Sequence, residues 1–251
     1  MQHLRAMKWQ AYYRAGKQLL NDRFYLAARE KNRSEKSKRP KRTDVINHLL
    51  TVLDRPTVYL EIGVRDPGDN FDHVEAGTKY GVDPGHEFKA NPVEFKMTSN
   101  DFFSKLGRNE ILSSGIRFDV IFIDGLHLAE QVDTDITNAF AHLREGGFIV
   151  LHDCNPPTEW HSREEYRYYH SPAGASWNGT TWKAFMKWRM DPAIKSCCVD
   201  TDWGVGILSK EQPIGQSIGP VNPFYEHSVL DKNRTSHLEL IDFDALKRRL
   251  F

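Results

Sequence analysis

The chain has 251 residues and a mass of 29.0 kDa, enough for one large domain with decorations and cramped for two. Hydrophobic residues make up 39% and charged residues 27%, which supplies a core and excludes wholesale disorder. The 34 Lys and Arg balance 34 Asp and Glu, which excludes a protein that coats nucleic acid over its whole surface and leaves room only for a local basic patch.

No apolar run approaches the roughly 18 residues of a membrane span. Residues 1–10 (MQHLRAMKWQ) lack the apolar stretch of a secretory signal. The three cysteines, Cys154, Cys197 and Cys198, form neither a disulfide framework nor a zinc spacing, and point to a reducing, cytoplasmic setting. In chain order, residues 1–30 carry Leu4, Met7, Trp9, Tyr12, Tyr13, Leu19, Leu20, Phe24, Tyr25 and Leu26, which predict one or two helices with a broad apolar face. Residues 29–42 are rich in Lys and Arg. They read as a solvated linker or, more sharply, as a contact for a phosphate-bearing partner or an anionic membrane surface.

From Thr43 the pattern becomes regular. Thr43 is placed to cap a helix over residues 44–53, with Val45, Ile46, Leu49, Leu50 and Leu53 on one face. Strands are predicted at 57–62 (TVYLEI), 79–82 (KYGV), 93–97 (VEFKM), 118–123 (FDVIFI) and 148–151 (FIVL), each short and bounded by Gly, Pro or Asp. A helix over 128–143 buries Leu128, Val132, Ile136, Ala139, Phe140 and Leu143, and Gly146-Gly147 is read as its end. Apolar strands alternating with helices predict a parallel sheet covered on both faces. Strands at 196–200 and 204–208, joined by Thr201-Asp202-Trp203, predict a late antiparallel hairpin. Residues 211–237 read as an extended arm and 242–250 as a short closing helix. The chain thus divides into an extension (1–43), a main domain (44–210) and a C-terminal arm with a short helix (211–251).

The polar residues at strand ends carry the chemistry, because ligands of open α/β sheets bind there. Glu61 ends the first strand. Its carboxylate is an acceptor suited to a cationic or hydroxyl-bearing ligand, and Gly63 lets the backbone approach that ligand closely. Arg65 and Asp66 stand where a dinucleotide fingerprint requires later glycines, so a phosphate-cradling loop is missing and a nicotinamide dehydrogenase is disfavoured. Asp83 ends the next strand, where an acid accepts hydrogen bonds from ribose hydroxyls; the plain alternative is an Asp-Pro-Gly turn. Asp124 and His127 follow one apolar strand, and His152, Asp153 and Asn155 follow its neighbour. Asp124, Asp153 and the amide oxygen of Asn155 make a set suited to Mg²⁺, while a histidine of the group is suited to act as a base. The aromatic-rich stretch 160–188, with Trp160, Tyr166, Tyr168, Tyr169, Trp177, Trp182 and Trp188, reads equally as an acceptor pocket and as a packed insertion or homo-oligomer contact.

The runs EIGVRDPG, YGVDPG, MTSNDFF, FDVIFIDGLHLAEQVDTDI, LREGGFIVLHDCNPP, TTWKAF and VDTDWGVGIL together resemble the class I S-adenosylmethionine-dependent methyltransferases, and within them the small-molecule and sugar O-methyltransferase-like branch. The resemblance covers residues 44–210. It implies an α/β fold with a Rossmann-like, seven-stranded, mostly parallel sheet, a late antiparallel hairpin and helices on both faces. It also implies S-adenosylmethionine as cofactor, held by Glu61, Gly63 and Asp83, with Thr98 and Ser99 at the adenine. Asp124 would lie beside the cofactor or a divalent ion such as Mg²⁺, Asp153 would be a second metal ligand, and His127 would be the base. Cys154 departs from the Asn or Asp that metal-dependent relatives often carry, so that Asn155 or His152 would have to substitute. The expected partner is a small-molecule or saccharide acceptor. Two other readings use the same residues: a metal-dependent hydrolase or oxygenase built on Asp124, His127, His152 and Asp153, and a non-catalytic binding module with the same fold.

Overall fold

The structure, a computed structural model, describes residues 2–88, 90 and 92–251, with side chains from Lys8 onward. Leu4 and Met7 of the expected apolar face therefore lie outside the described side chains.

Two helices, α1 (Gln2–Leu20) and α2 (Arg23–Ser37), precede the sheet, and Asp22 caps the second by accepting from the amides of Phe24 and Tyr25. Helix α3 (Arg42–Val52) then leads into β1 (Val58–Ile62), β2 (Thr78–Val82), α4 (Ser99–Gly107), β3 (Phe118–Ile123), α5 (Ala129–His142) and β4 (Leu143–Leu151). After a long loop come α6 (Thr181–Arg189), β5 (Lys195–Val199), β6 (Val205–Ser209), α7 (His227–Leu238), β7 (Leu240–Ile241) and α8 (Phe243–Arg249). The strands form one seven-stranded sheet in the order β2-β1-β3-β4-β6-β5-β7. Only β6 runs against its neighbours, pairing antiparallel with both β4 and β5.

The sheet is buried on both faces because its strands are apolar on both. Along β3, Ile121 and Ile123 pack with Phe102, Ile149 and Phe185 on one side, while Val120 and Phe122 pack with Val45, Leu49 and Val150 on the other. Each such fully buried side chain contributes about 1.5–3 kcal/mol relative to exposure. This double layer fixes the carboxyl ends of β1, β2, β3 and β4 side by side, the edge at which a site is expected.

The observed elements correct several expectations. The strand expected at 93–97 is a single bridge, Phe95 beside Val82, and the seventh strand is instead Leu240–Ile241 beside β5. Thr43 lies inside α3, which is capped at Lys41: the Asp44 carboxylate accepts from the Lys41 amide, and Thr43 donates to Asn70. Gly146-Gly147 does not end α5. The chain passes from helix to strand at Leu143, and both glycines lie within β4.

Residues 29–42 are not a free linker. They finish α2 and dock: Lys38 contacts Glu35 and Asp200 at 2.6 and 2.7 Å, and Lys41 and Arg42 reach Asp202 at 3.0 and 3.1 Å. The stretch 211–237 is not wholly extended, since α7 begins at His227. The three cysteines are buried and free.

Candidate active site

A cleft of about 690 Å³ opens at the carboxyl ends of the parallel strands. Its walls include Glu61, Gly63, Asp83, Thr98, Ser99, Asp124, His127 and Asp153, so the structure gathers these residues as the sequence predicts.

Glu61 is buried at the end of β1 and accepts from Tyr59 Oη at 2.6 Å and Asn70 Nδ2 at 2.8 Å. Burial pushes its pKa up to about 7, against the opposing pull of those two donors. Just beyond it, Gly63 has φ +87°, and a Cβ there would lie 2.3 Å from the carbonyl oxygen of Asp124. The β1 and β3 turns therefore touch backbone to backbone, which only glycine permits. Asp83 is fixed by two backbone donors, Arg65 N at 2.8 Å on one oxygen and Gly85 N at 2.6 Å on the other. Each oxygen keeps a lone pair for a further donor. Thr98 caps α4 by accepting from the Asp101 amide, and Ser99 opens that helix.

The other half of the cleft is a charge cluster. Asp124 Oδ1 lies 3.1 Å from His152 Nδ1 and 3.3 Å from His127 Nε2. Asp153 Oδ2 lies 2.9 Å from His127 Nδ1 and 3.4 Å from His152 Nδ1. Burial alone would raise both carboxyl pKa values, but the two histidines, with Arg42 beside Asp124, hold them below the ordinary carboxylate range. Conversely, burial alone would lower His127, but Asp153 and Asp124 raise it to about 10. The two acids thus favour the protonated imidazole at His127.

The donor set also tests the metal expectation. Asp124, His152 and Asp153 each present a ligand atom within 4.8 Å of the others. Asn155 does not join them: its amide donates to Asp200 at 3.1 Å and its oxygen accepts from Arg234. Two carboxylates with an imidazole can hold a divalent ion, but the set suits Mn²⁺, Fe²⁺ or Zn²⁺ better than Mg²⁺, which favours oxygen ligands.

Apart from Trp177, the following residues of the site were not singled out in the sequence. Arg42 enters the cleft from α3, and its Nε is buried without a hydrogen-bond partner. Asp202, in the hairpin turn, accepts from the Arg42 amide and side chain and lies 3.7 Å from His152. Asn178 donates to Asp153 at 2.8 Å, and the Trp177 ring stacks on His127 with centroids 5.2 Å apart. Gly179 (φ +60°) lies against the backbone of His127. Asp135, on the α5 face that also carries Gln131, lines the cleft and is pushed up to about 6 by burial. The i, i+4 spacing of that pair was the one usable hint.

The aromatic stretch divides between the two readings made of it. Tyr166 and Trp177 line the cleft, Trp182 belongs to the core, and Trp160, Tyr168 and Tyr169 are exposed.

Among known proteins, residues 65–154 match a family model described as a methyltransferase domain. No curated protein matches. Solved structures of similar shape include an O-methyltransferase from Bacillus cereus in complex with S-adenosylhomocysteine (15% identity, TM-score 0.40, 75% of this chain and 90% of that one). Another is a methyltransferase of Podospora anserina bound to S-adenosylhomocysteine (16% identity, TM-score 0.45, 81% and 96%). A third is the methyltransferase of the mycinamycin biosynthetic pathway in complex with Mg, S-adenosylhomocysteine and mycinamycin VI (19% identity, TM-score 0.40, 72% and 51%). The matched segment spans the turns that carry Asp83, Asp124, His127 and Asp153, so this part of the chain is similar to a methyltransferase domain, in line with the resemblance read in the sequence.

Proposed function

We propose that the chain transfers a methyl group from S-adenosylmethionine to a hydroxyl oxygen of a small molecule or saccharide. The observation that carries this reading is that one cleft is lined both by Glu61, Gly63 and Asp83 and by the Asp124–His127–His152–Asp153 cluster. In this arrangement Glu61 meets the ammonium of the cofactor, Asp83 takes the ribose hydroxyls through its free lone pairs, and Thr98 and Ser99 border the adenine. Arg42, whose buried Nε makes no hydrogen bond and lies 3.9 Å from Asp124 Oδ2, gives the cofactor carboxylate a donor.

Methyl transfer from a sulfonium is an in-line displacement, so the protein's task is to align nucleophile, methyl and sulfur and to manage one proton. The hydroxyl would enter beside the charge cluster, where the imidazole of His127 would take its proton and Asp153 and Asp124, at 2.9 and 3.3 Å from its two nitrogens, would orient that ring and stabilise the imidazolium formed. Trp177, stacked on His127, offers a flat apolar wall to a ring. A divalent ion held by Asp124, His152 and Asp153 would supply Lewis-acid stabilisation of the alkoxide.

The test is calorimetric titration with S-adenosylhomocysteine of the wild type and of Asp83→Ala. Saturable binding that weakens by about 30-fold or more in the variant is expected, the loss of hydrogen bonds to a charged acceptor. A folded, ligand-free wild type that does not bind would overturn the reading.

A further inference from the structure

Among the described side chains, α1 offers a face that nothing covers: from Lys8 to Leu20 every residue is exposed except Gly16, which is half-buried. Yet the helix is not polar all round. At 100° per residue, Trp9, Tyr12, Tyr13, Gly16, Leu19 and Leu20 fall within about one third of its circumference. Trp9, Tyr12 and Tyr13 are 75%, 70% and 72% exposed, and Leu20 is 53% exposed. The rest of the surface carries Lys8, Arg14 and Lys17, and α1 contains no acidic residue. Among the described residues, no ion pair joins any of these three cations.

Charge along the chain is segregated as well. Residues 1–42 hold 13 Lys and Arg against three Asp and Glu, which leaves residues 43–251 with 21 against 31. Lys38, Lys41 and Arg42, which follow α2, are spent on Asp200 and Asp202 of the body, Lys38 also on Glu35 of α2. Lys8, Arg14 and Lys17 of α1 are not.

We propose that α1 is a docking helix for an anionic membrane surface. An aromatic and leucine stripe flanked by cations matches the layered chemistry of a lipid interface: rings and aliphatic chains settle at headgroup depth while Lys and Arg meet the negative leaflet. No helix among the described residues is long and apolar enough to cross a membrane, so the contact is with the surface. A second copy of the chain is the poorer occupant, since pairing α1 with α1 about a two-fold axis would bring cation to cation. Nucleic acid is poorer too, because the rings and the cations occupy different sides of the helix and do not interleave along it.

The experiment is flotation of the full chain with vesicles of phosphatidylcholine, with and without phosphatidylserine. The wild type should float with the anionic vesicles and bind neutral ones at least about tenfold more weakly. The double variant Trp9→Ala, Tyr13→Ala and the triple variant Lys8→Glu, Arg14→Glu, Lys17→Glu should each lose about tenfold or more on anionic vesicles. Both variants should melt with the wild type, since neither touches the core. Equal binding to both vesicle types, or none, would overturn the proposal. So would a wild-type dimer in light scattering that the double variant abolishes without any vesicle binding, or retention only by an RNA oligonucleotide.

Discussion

Gly63→Ala isolates the contact between the two turns that build the cleft. The new Cβ would stand 2.3 Å from the Asp124 carbonyl oxygen and 2.4 Å from the Gly125 Cα, both backbone atoms. Neither turn yields easily: Asp124 N donates to Ile62 O and Gly63 N to Val82 O, each at 2.8 Å. Left-handed backbone at a non-glycine residue costs about 1–2 kcal/mol, and forcing an extra methyl into a packed site costs about 1–3 kcal/mol more. The sum, about 2–5 kcal/mol, is a large share of an ordinary domain's stability of about 5–15 kcal/mol. With a urea slope of about 1–3 kcal/mol/M, the unfolding midpoint should fall by about 1 M or more. Gly107→Ala is the control, since no atom lies within 4 Å of its added Cβ; it should be neutral or stabilising by up to about 1 kcal/mol. A Gly63→Ala protein that unfolds within about 0.5 M of wild type and still binds S-adenosylhomocysteine would refute the reasoning.

Three further outcomes are expected. Because burial raises Glu61 to about 7 and an ammonium ligand requires the ionised carboxylate, S-adenosylhomocysteine affinity should fall as pH drops through 7, by up to about tenfold per unit; a flat calorimetric profile from pH 6 to 8.5 would count against the pairing, and Glu61→Gln should bind weakly with no such slope. Asp202→Asn removes the buried partner of Arg42 and Lys41 and should destabilise the fold by about 3 kcal/mol or more, read as a lower melting temperature. Manganese at about 100 times its dissociation constant should stabilise metal-free protein by about 2.7 kcal/mol; Asp153→Asn should abolish that increment, whereas Asn155→Ala should keep it, and the reverse pattern would restore Asn155 as a ligand.

Much of the sheet was legible because a strand apolar on both faces leaves a plain trace: β3 begins and ends where FDVIFI does. Edges were not. Val93, Phe95 and Met97 alternate as a strand should, but Phe95 is bridged to Val82, the last residue of β2, and the chain then turns at Asp83-Pro84-Gly85. The two-residue β7 is too short to leave any pattern. In α1 the periodicity is visible, but periodicity cannot say whether a face has a partner, and this face has none within the described residues.

The site divides in the same way. Glu61 is the penultimate residue of its strand and Asp83, Asp124 and Asp153 lie just beyond theirs, so local sequence places them. Arg42, Asp202 and Asn178 reach the cleft only through contacts across 25 to 160 residues, which no local spacing encodes.

The hairpin turn Thr201-Asp202-Trp203 is shared by two parts of the protein. On one side Thr201 donates to Pro40, and Asp202 holds Lys41 and Arg42. On the other, Asp202 faces His152 and Trp203 borders the cleft. The segment that matches the methyltransferase-domain model begins only at residue 65. A fragment cut at residue 65 would lose β1 with Glu61, and one cut at the first strand would keep every strand-end acid and yet lose Arg42, the cation beside Asp124 and Asp202. The smallest piece able to house a working cleft therefore starts within α2, upstream of where alignment alone would place the cut.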